Sequence, residues 1–183
     1  MRKVIIFVMT SVDGYFEGPN GDLSWHNVDA EFNDFAAAQL EEADTLLFGR
    51  KTYEIMAGYW PTDGAITSDP VIAGMMNSKP KIVFSRSMEK AEWNNTRLMR
   101  DAGTAISELR QQSGKDLLIS GSANLAVSLV GKGLIDELRI MVCPGVLGHG
   151  TILLEGVKHS LKLKLISARP YRSGNVLISY VNS

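Results

Sequence analysis

Three short segments set cations, hydroxyls and glycines directly behind apolar, β-branched runs. The first is Phe48-Gly49-Arg50-Lys51-Thr52-Tyr53-Glu54, where an apolar run turns through Gly49 into a segment that opens on two cations. Cations at a helix N-terminus oppose the macrodipole. An anion bound there removes the penalty, because free backbone N–H groups and both side chains then converge on it. The second is Phe84-Ser85-Arg86-Ser87, two hydroxyls around a guanidinium, a donor set suited to a phosphate monoester. The third is Ile119-Ser120-Gly121-Ser122-Ala123-Asn124, whose small side chains admit close backbone approach before a helix start. Taken singly, each also reads as a polar turn or an ordinary helix start. No G-x-G-x-x-G follows any strand, so a Rossmann site is not supported.

The elements that must carry these segments alternate. Val4 to Met9, Thr45 to Phe48, Lys81 to Phe84, Leu117 to Ile119 and Leu138 to Val142 read as strands, with Thr96 to Met99 a weaker one. Helices are expected over Asp29 to Glu42, Arg50 to Ala57, Val71 to Met76 and Ala123 to Val130, the last closed by Gly131 or Gly133. Another, marked by Ala102, Ile106 and Leu109, opens on Asp101 as N-cap. The stretch Ser11 to Asn27 is rich in Gly, Pro, Asn and Asp and reads as loop. Leu161 to Ala168 and Asn175 to Val181, joined by residues 170 to 174, form a closing hairpin. The fold class is therefore α/β: a mostly parallel, mixed central sheet with helices on both faces and an antiparallel C-terminal hairpin. In such sheets ligands collect beyond the carboxyl ends of the strands, where all three segments lie.

Composition narrows the functional classes. The 183 residues, 45% hydrophobic and 21% charged, fit one globular domain over 1–183. With a net charge of -1 and no Lys/Arg-rich run, no nucleic-acid partner is expected. The single cysteine, Cys143, excludes an internal disulfide and a Cys-x-x-Cys zinc site of the deaminase type. His26, His149 and His159 lack i,i+4 ligand spacing, so no metal is expected. The apolar run at Val4 is too short for a signal peptide and meets Asp13 at once, and no segment approaches the roughly 20 apolar residues of a membrane span. A cytoplasmic protein without membrane partners is expected.

The three segments, in this order, resemble the dihydrofolate reductase-like superfamily. They look most like stand-alone relatives of the C-terminal reductase domain of the bifunctional riboflavin-pathway deaminase/reductase. Ser11-Val12-Asp13-Gly14, Trp25, Leu134-Ile135-Asp136-Glu137-Leu138 and Pro144-Gly145-Val146-Leu147-Gly148-His149-Gly150 carry the resemblance further, over nearly the whole chain. It implies NADPH as cofactor and hydride transfer to a pyrimidine- or pteridine-like heterocycle or a ribosylamino substrate, as in 5-amino-6-(5-phosphoribosylamino)uracil reductase. It also implies a small-molecule partner and a homodimer. By the same resemblance Gly49, Arg50, Lys51 and Thr52 meet phosphates, as does the backbone of Gly121, Ser122, Ala123 and Asn124. Ser85 and Arg86 meet the 2′-phosphate. Val8, Met9, Thr10 and Gly14 line the nicotinamide, and Asp13 to Trp25 form a lid.

Hydride addition to a C=N bond also needs a proton at the nitrogen. Asp29 and Asp13 are the candidate acids, with Glu155 third; Glu155 and Trp25 are also candidate substrate contacts. Each acid has a plainer reading: Asp29 suits a helix start, and Asp13-Gly14 is a common turn. Asp136 reads as a strand-edge residue, and Trp60 and Trp93 as packing. Dihydrofolate reductase proper, or an NADPH-binding module without turnover, are the alternatives.

Overall fold

The computed structural model describes residues 1–158 and 160–183; His159 lies outside them. The central strand β1 (Val4–Thr10) is buried along its whole length, as its uninterrupted apolar sequence requires of a strand covered on both faces. It pairs in parallel with β6 (Asp116–Ser120) on one side and β7 (Glu137–Val142) on the other. Beyond β6 lie β3 (Ala43–Gly49), β4 (Lys81–Phe84) and β5 (Thr96–Met99), all parallel. Beyond β7, β10 (Val176–Asn182) runs antiparallel, and β9 (Leu163–Pro170) antiparallel to it at the edge. The sheet order is β5-β4-β3-β6-β1-β7-β10-β9.

Alternate residues of β1 feed two cores. Ile5, Phe7 and Met9 face α1 (Ala30–Glu42), α2 (Arg50–Tyr59) and α4 (Pro70–Ser78). Val4, Ile6 and Val8 face α5 (Ala102–Gln111) and α6 (Ala123–Val130). The expected α/β class with helices on both faces and a C-terminal antiparallel pair is what the chain forms. Asp101 caps α5 by accepting from Thr104 N at 2.8 Å. Between the two candidate terminators of α6, Gly131 stays helical, while Gly133 takes φ 65, the left-handed value that favours glycine.

The differences lie in the polar stretches. The segment expected as loop contains β2 (Tyr15–Glu17), paired antiparallel with β8 (Thr151–Ile152) in a separate two-stranded sheet. Strands this short have no periodicity to read. A further helix, α3 (Asp63–Ser68), forms because Thr62 accepts from Ala65 N and Asp63 sits in its first turn. Helix α4 begins earlier than expected, at Pro70, a residue that suits the first helical position. Among the described residues no helix is long and apolar enough to cross a membrane.

Candidate functional site

The parallel strands β4, β3, β6 and β1 end along one edge of the sheet. Gly49 is opposite Phe84, and Leu47 is opposite Ile119. With neighbouring strands about 4.8 Å apart, the tips carrying Arg86, Arg50 and Gly121 fall within roughly 10 Å of one another along the edge. The three sequence segments therefore meet.

Two helices start at these tips without a side-chain cap. The N-cap of α2 is Gly49, and the N-cap Ser122 of α6 makes no capping bond. By contrast α1, α3 and α5 are capped by Asp29, Thr62 and Asp101. Instead of capping, Ser122 Oγ accepts from Gly49 N at 2.9 Å, and Thr52 Oγ1 donates to Gly121 O at 2.9 Å. These bonds lock the two starts side by side and leave their first N–H groups pointing off the sheet edge, a concentrated partial positive charge. Gly121 holds φ 64, which fixes the turn into α6. Thr52 spends its hydroxyl proton on Gly121, so only its backbone N–H can donate to an anion. Arg50 is exposed and pairs with Glu54 at 3.1 Å, and Lys51 is exposed.

Just past β4, Ser85 Oγ accepts from Met88 N at 3.0 Å, and Arg100 Nη1 donates to both Ser85 O and Met88 O at 2.7 Å. The Ser85 hydroxyl thus shapes a turn, and Arg86 projects from that turn into solvent.

Beside the helix starts opens a cleft of about 1230 Å³. That exceeds the volume of a typical single small-ligand site, up to about 1,000 Å³. Its lining contains Val8, Gly49, Arg50, Lys51, Thr52, Gly121, Ser122, Ala123 and Asn124 from the expected set. The segment Phe16 to Gly21 walls one side. The helix faces opposite supply Phe32, Ala36, Leu40, Met56 and Trp60.

Several expected residues sit elsewhere. Thr10 and Gly14 are outside the lining; Thr10 is buried, and its carbonyl accepts from Cys143 N. Ser85 and Arg86 are outside it as well, at the next strand tip. Asp29 spends its carboxylate on Phe32 N at 2.8 Å as the cap of α1, because that helix start needs an acceptor. Asp13 accepts from Ser11 Oγ, Leu147 N and Gly148 N, joining its loop to the one before β8. The Ser11 hydroxyl, with the Gly148 and Leu147 amides, holds its pKa down at about 2. A carboxylate so stabilised is held ionised at neutral pH. Trp25 is also outside the lining, packed against the core with Nε1 donating to Asp22 O at 3.0 Å, and Glu155 is exposed in a turn outside it as well.

Sequence reasoning missed His26, Asn33 and Asp69, all of which line the cleft. Burial pushes the His26 imidazole down to about 4, so it is neutral at physiological pH, and its Nε2 has no partner among the described residues. Asn33 lies on the face of α1 that carries Phe32 and Ala36, a face visible in the helical spacing. Asp69, just before Pro70, gave no signal beyond a loop.

The family model for the RibD C-terminal domain matches residues 2–177. The chain is 32% identical over 181 residues to the protein YyaP of Bacillus subtilis (strain 168), covering 98% of this chain and 94% of YyaP. A Shewanella sp. PV-4 structure, described as that of a riboflavin biosynthesis protein, superposes with a TM-score of 0.77 at 25% identity, over 99% of both chains. The Enterococcus faecalis dihydrofolate reductase, solved with NADP(H), shares the fold at a TM-score of 0.69 and 15% identity, over 99% of this chain and 96% of that one. The match of the family model over nearly the whole chain settles the family: the chain belongs to the RibD C-terminal domain family.

Proposed function

We propose that the chain is an NADPH-dependent reductase acting on a small pyrimidine- or pteridine-like heterocycle. One observation carries the reading: two uncapped helix starts, locked together by the Gly49–Ser122 and Thr52–Gly121 bonds, open into a cleft of about 1230 Å³. The family and the NADP(H) bound by the Enterococcus faecalis relative support it. In this reading the bound dinucleotide supplies hydride at its nicotinamide. The N–H groups opening α2 and α6, with Arg50 and Lys51, hold its pyrophosphate, and Arg86 takes the 2′-phosphate. Phe7, Val8 and Met9 form the floor against which a planar ring packs. The segment Phe16 to Gly21 keeps water from the reacting carbon.

Titration with NADPH, followed by quenching of the cleft tryptophan Trp60, tests the reading. Saturable quenching is expected, and Lys51→Ala should weaken it about tenfold or more, the loss of a charge-assisted contact of about 1.5–3 kcal/mol. No response up to about 1 mM cofactor, a Kd that corresponds to only about −4.1 kcal/mol, removes the proposal.

A second reading, an NADPH-binding module without turnover, is favoured by Asp13 and Asp29 both being engaged outside the cleft. Cofactor binding without NADPH oxidation over a panel of pyrimidines and pterins would select it.

A further inference from the structure

The outermost strand of the sheet is bare. All eight residues of β9 are exposed, and the strand forms the free edge beyond β10. Register assigns its side chains to faces. Leu165 is opposite Tyr180 and Ala168 opposite Ile178, while Tyr180 and Ile178 are themselves opposite Leu138 and Ile140 on β7. Those two are opposite Ile6 and Val8, so the row lies on the side of the sheet that carries α5 and α6. Val142, Val176 and Pro170 extend it. Side chains alternate along a regular strand, which would send Leu165 and Ala168 to opposite faces. The register shift at Ser179/Tyr180 leaves Ile166 without a partner and brings both onto one face. Lys164, Ser167 and Arg169 take the reverse face. Among the described residues, the core under α5 and α6 reaches Ile140 and takes in neither β10 nor β9. Leu163 and Leu165 are left 39% and 53% exposed.

We propose that this uncovered face docks a second copy of the chain, sheet against sheet about a twofold axis. The proposal goes beyond the reductase reading and does not rest on it. Strands β7, β10 and β9, about 4.8 Å apart and rising about 3.3 Å per residue, offer a face of roughly 15 Å by 25 Å. Exposed apolar patches of about 300–600 Å² mark interaction sites. Leu161 and Ile166, 44% and 54% exposed at the rim, bring the face toward the about 800 Å² per partner of a stable pair. Charge selects how the copies meet. After Glu155 the chain has no acidic residue, whereas Lys158, Lys162, Lys164, Arg169 and Arg172 are all cations. Edge-to-edge pairing of β9 with its own copy, in the antiparallel register that uses all eight residues, sets Lys164 opposite Arg169. Like charges directly opposite destabilise a strand pair, and Pro170 has no N–H to give. Stacking the apolar faces keeps Lys164 and Arg169 on the outer sides of the pair. An isologous contact then sets apolar surface against apolar surface.

Sedimentation velocity on the full chain between about 1 and 100 µM, a range that reads Kd values near micromolar, tests this. A species of twice the 20.0 kDa chain mass is expected. Leu165→Glu and Ala168→Arg should each weaken it about 100-fold or more, because each places an unpaired charge in the contact. Both positions are exposed in the single chain, and an unchanged thermal melt at low concentration verifies the fold of each variant. Lys164→Glu, on the reverse face, should leave the dimer as it is. A parent chain that stays monomeric at about 100 µM overturns the proposal without any variant. So does a dimer indifferent to both face variants. A dimer tightened by Lys164→Glu also overturns it, because that substitution turns the Lys164–Arg169 clash of edge pairing into an attraction.

Discussion

Arg86 and Arg50 are both exposed cations at strand tips, but their surroundings differ. Arg50 is already paired with Glu54, while Arg86 has no acidic partner among the described residues and stands on a turn braced by Arg100. A braced, unpaired guanidinium is suited to a monoester phosphate. Arg86→Ala should therefore cost NADPH about 1.5–3 kcal/mol, roughly 10–100-fold in Kd, and leave NADH nearly untouched. Equal losses for the two cofactors would remove Arg86 from the 2′-phosphate. Asp29 makes the opposite case, a residue whose carboxylate already caps a helix start through Oδ1. Asp29→Ala should lower stability by about 0.5–2 kcal/mol in a thermal melt while turnover persists. A loss of turnover at unchanged stability would return Asp29 to the chemistry.

Among the elements, α4 is held at its far end by an unusual anchor. Lys81 is buried at the start of β4, and its Nζ donates to the carbonyls of Met76, Asn77 and Lys79 while lying over the Trp93 ring. Lys81→Met removes this donor from the Met76 and Lys79 carbonyls, leaves Asn77 O only its bond from Asn95 Nδ2, and should destabilise by about 1–3 kcal/mol, measured by urea unfolding. Burial lowers the Lys81 pKa from 10.5 to about 8. The unfolded chain then binds the extra proton between those values, so this group's contribution is present above pH 10.5 and lost as pH falls through about 8. The rise in stability over that window should flatten in Lys81→Met. Long elements such as β1, α1 and α6 were legible in the sequence because their burial imposes a period, and the three anion-ready segments because they follow buried strands. The pair β2 and β8 was not, since two or three residues carry no period. Nor was the engagement of Asp13 and Asp29: the same Asp-Gly turn or helix-start aspartate reads identically whether its carboxylate is free or already bonded. Asp69 was hidden for a related reason, because its cleft position depends on how α4 packs against α1.

For the molecule as a whole, a ligand that spans the strand tips and the cleft bridges both cores and binds only the folded state. At a hundred times its Kd, NADPH should add about 2.7 kcal/mol of stability. In a chain of this size that raises the melting temperature by about 5–10 °C. A scan with and without cofactor reads it directly, and an unchanged midpoint would contradict binding at this site. Access to that site is governed by how its wall is fastened. Tyr15 is opposite Ile152 in the β2–β8 pair, Thr151 Oγ1 donates to Glu17 at 2.8 Å, and Asp13 grips the Leu147 and Gly148 amides. Gly150, at φ 139, sits so close to the Glu17 carbonyl that no side chain fits there. Two stretches of chain more than 130 residues apart in sequence are thus riveted into a single leaf. Any displacement of the front stretch must carry the rear one with it, so a probe attached to either should register the arrival of the proposed cofactor.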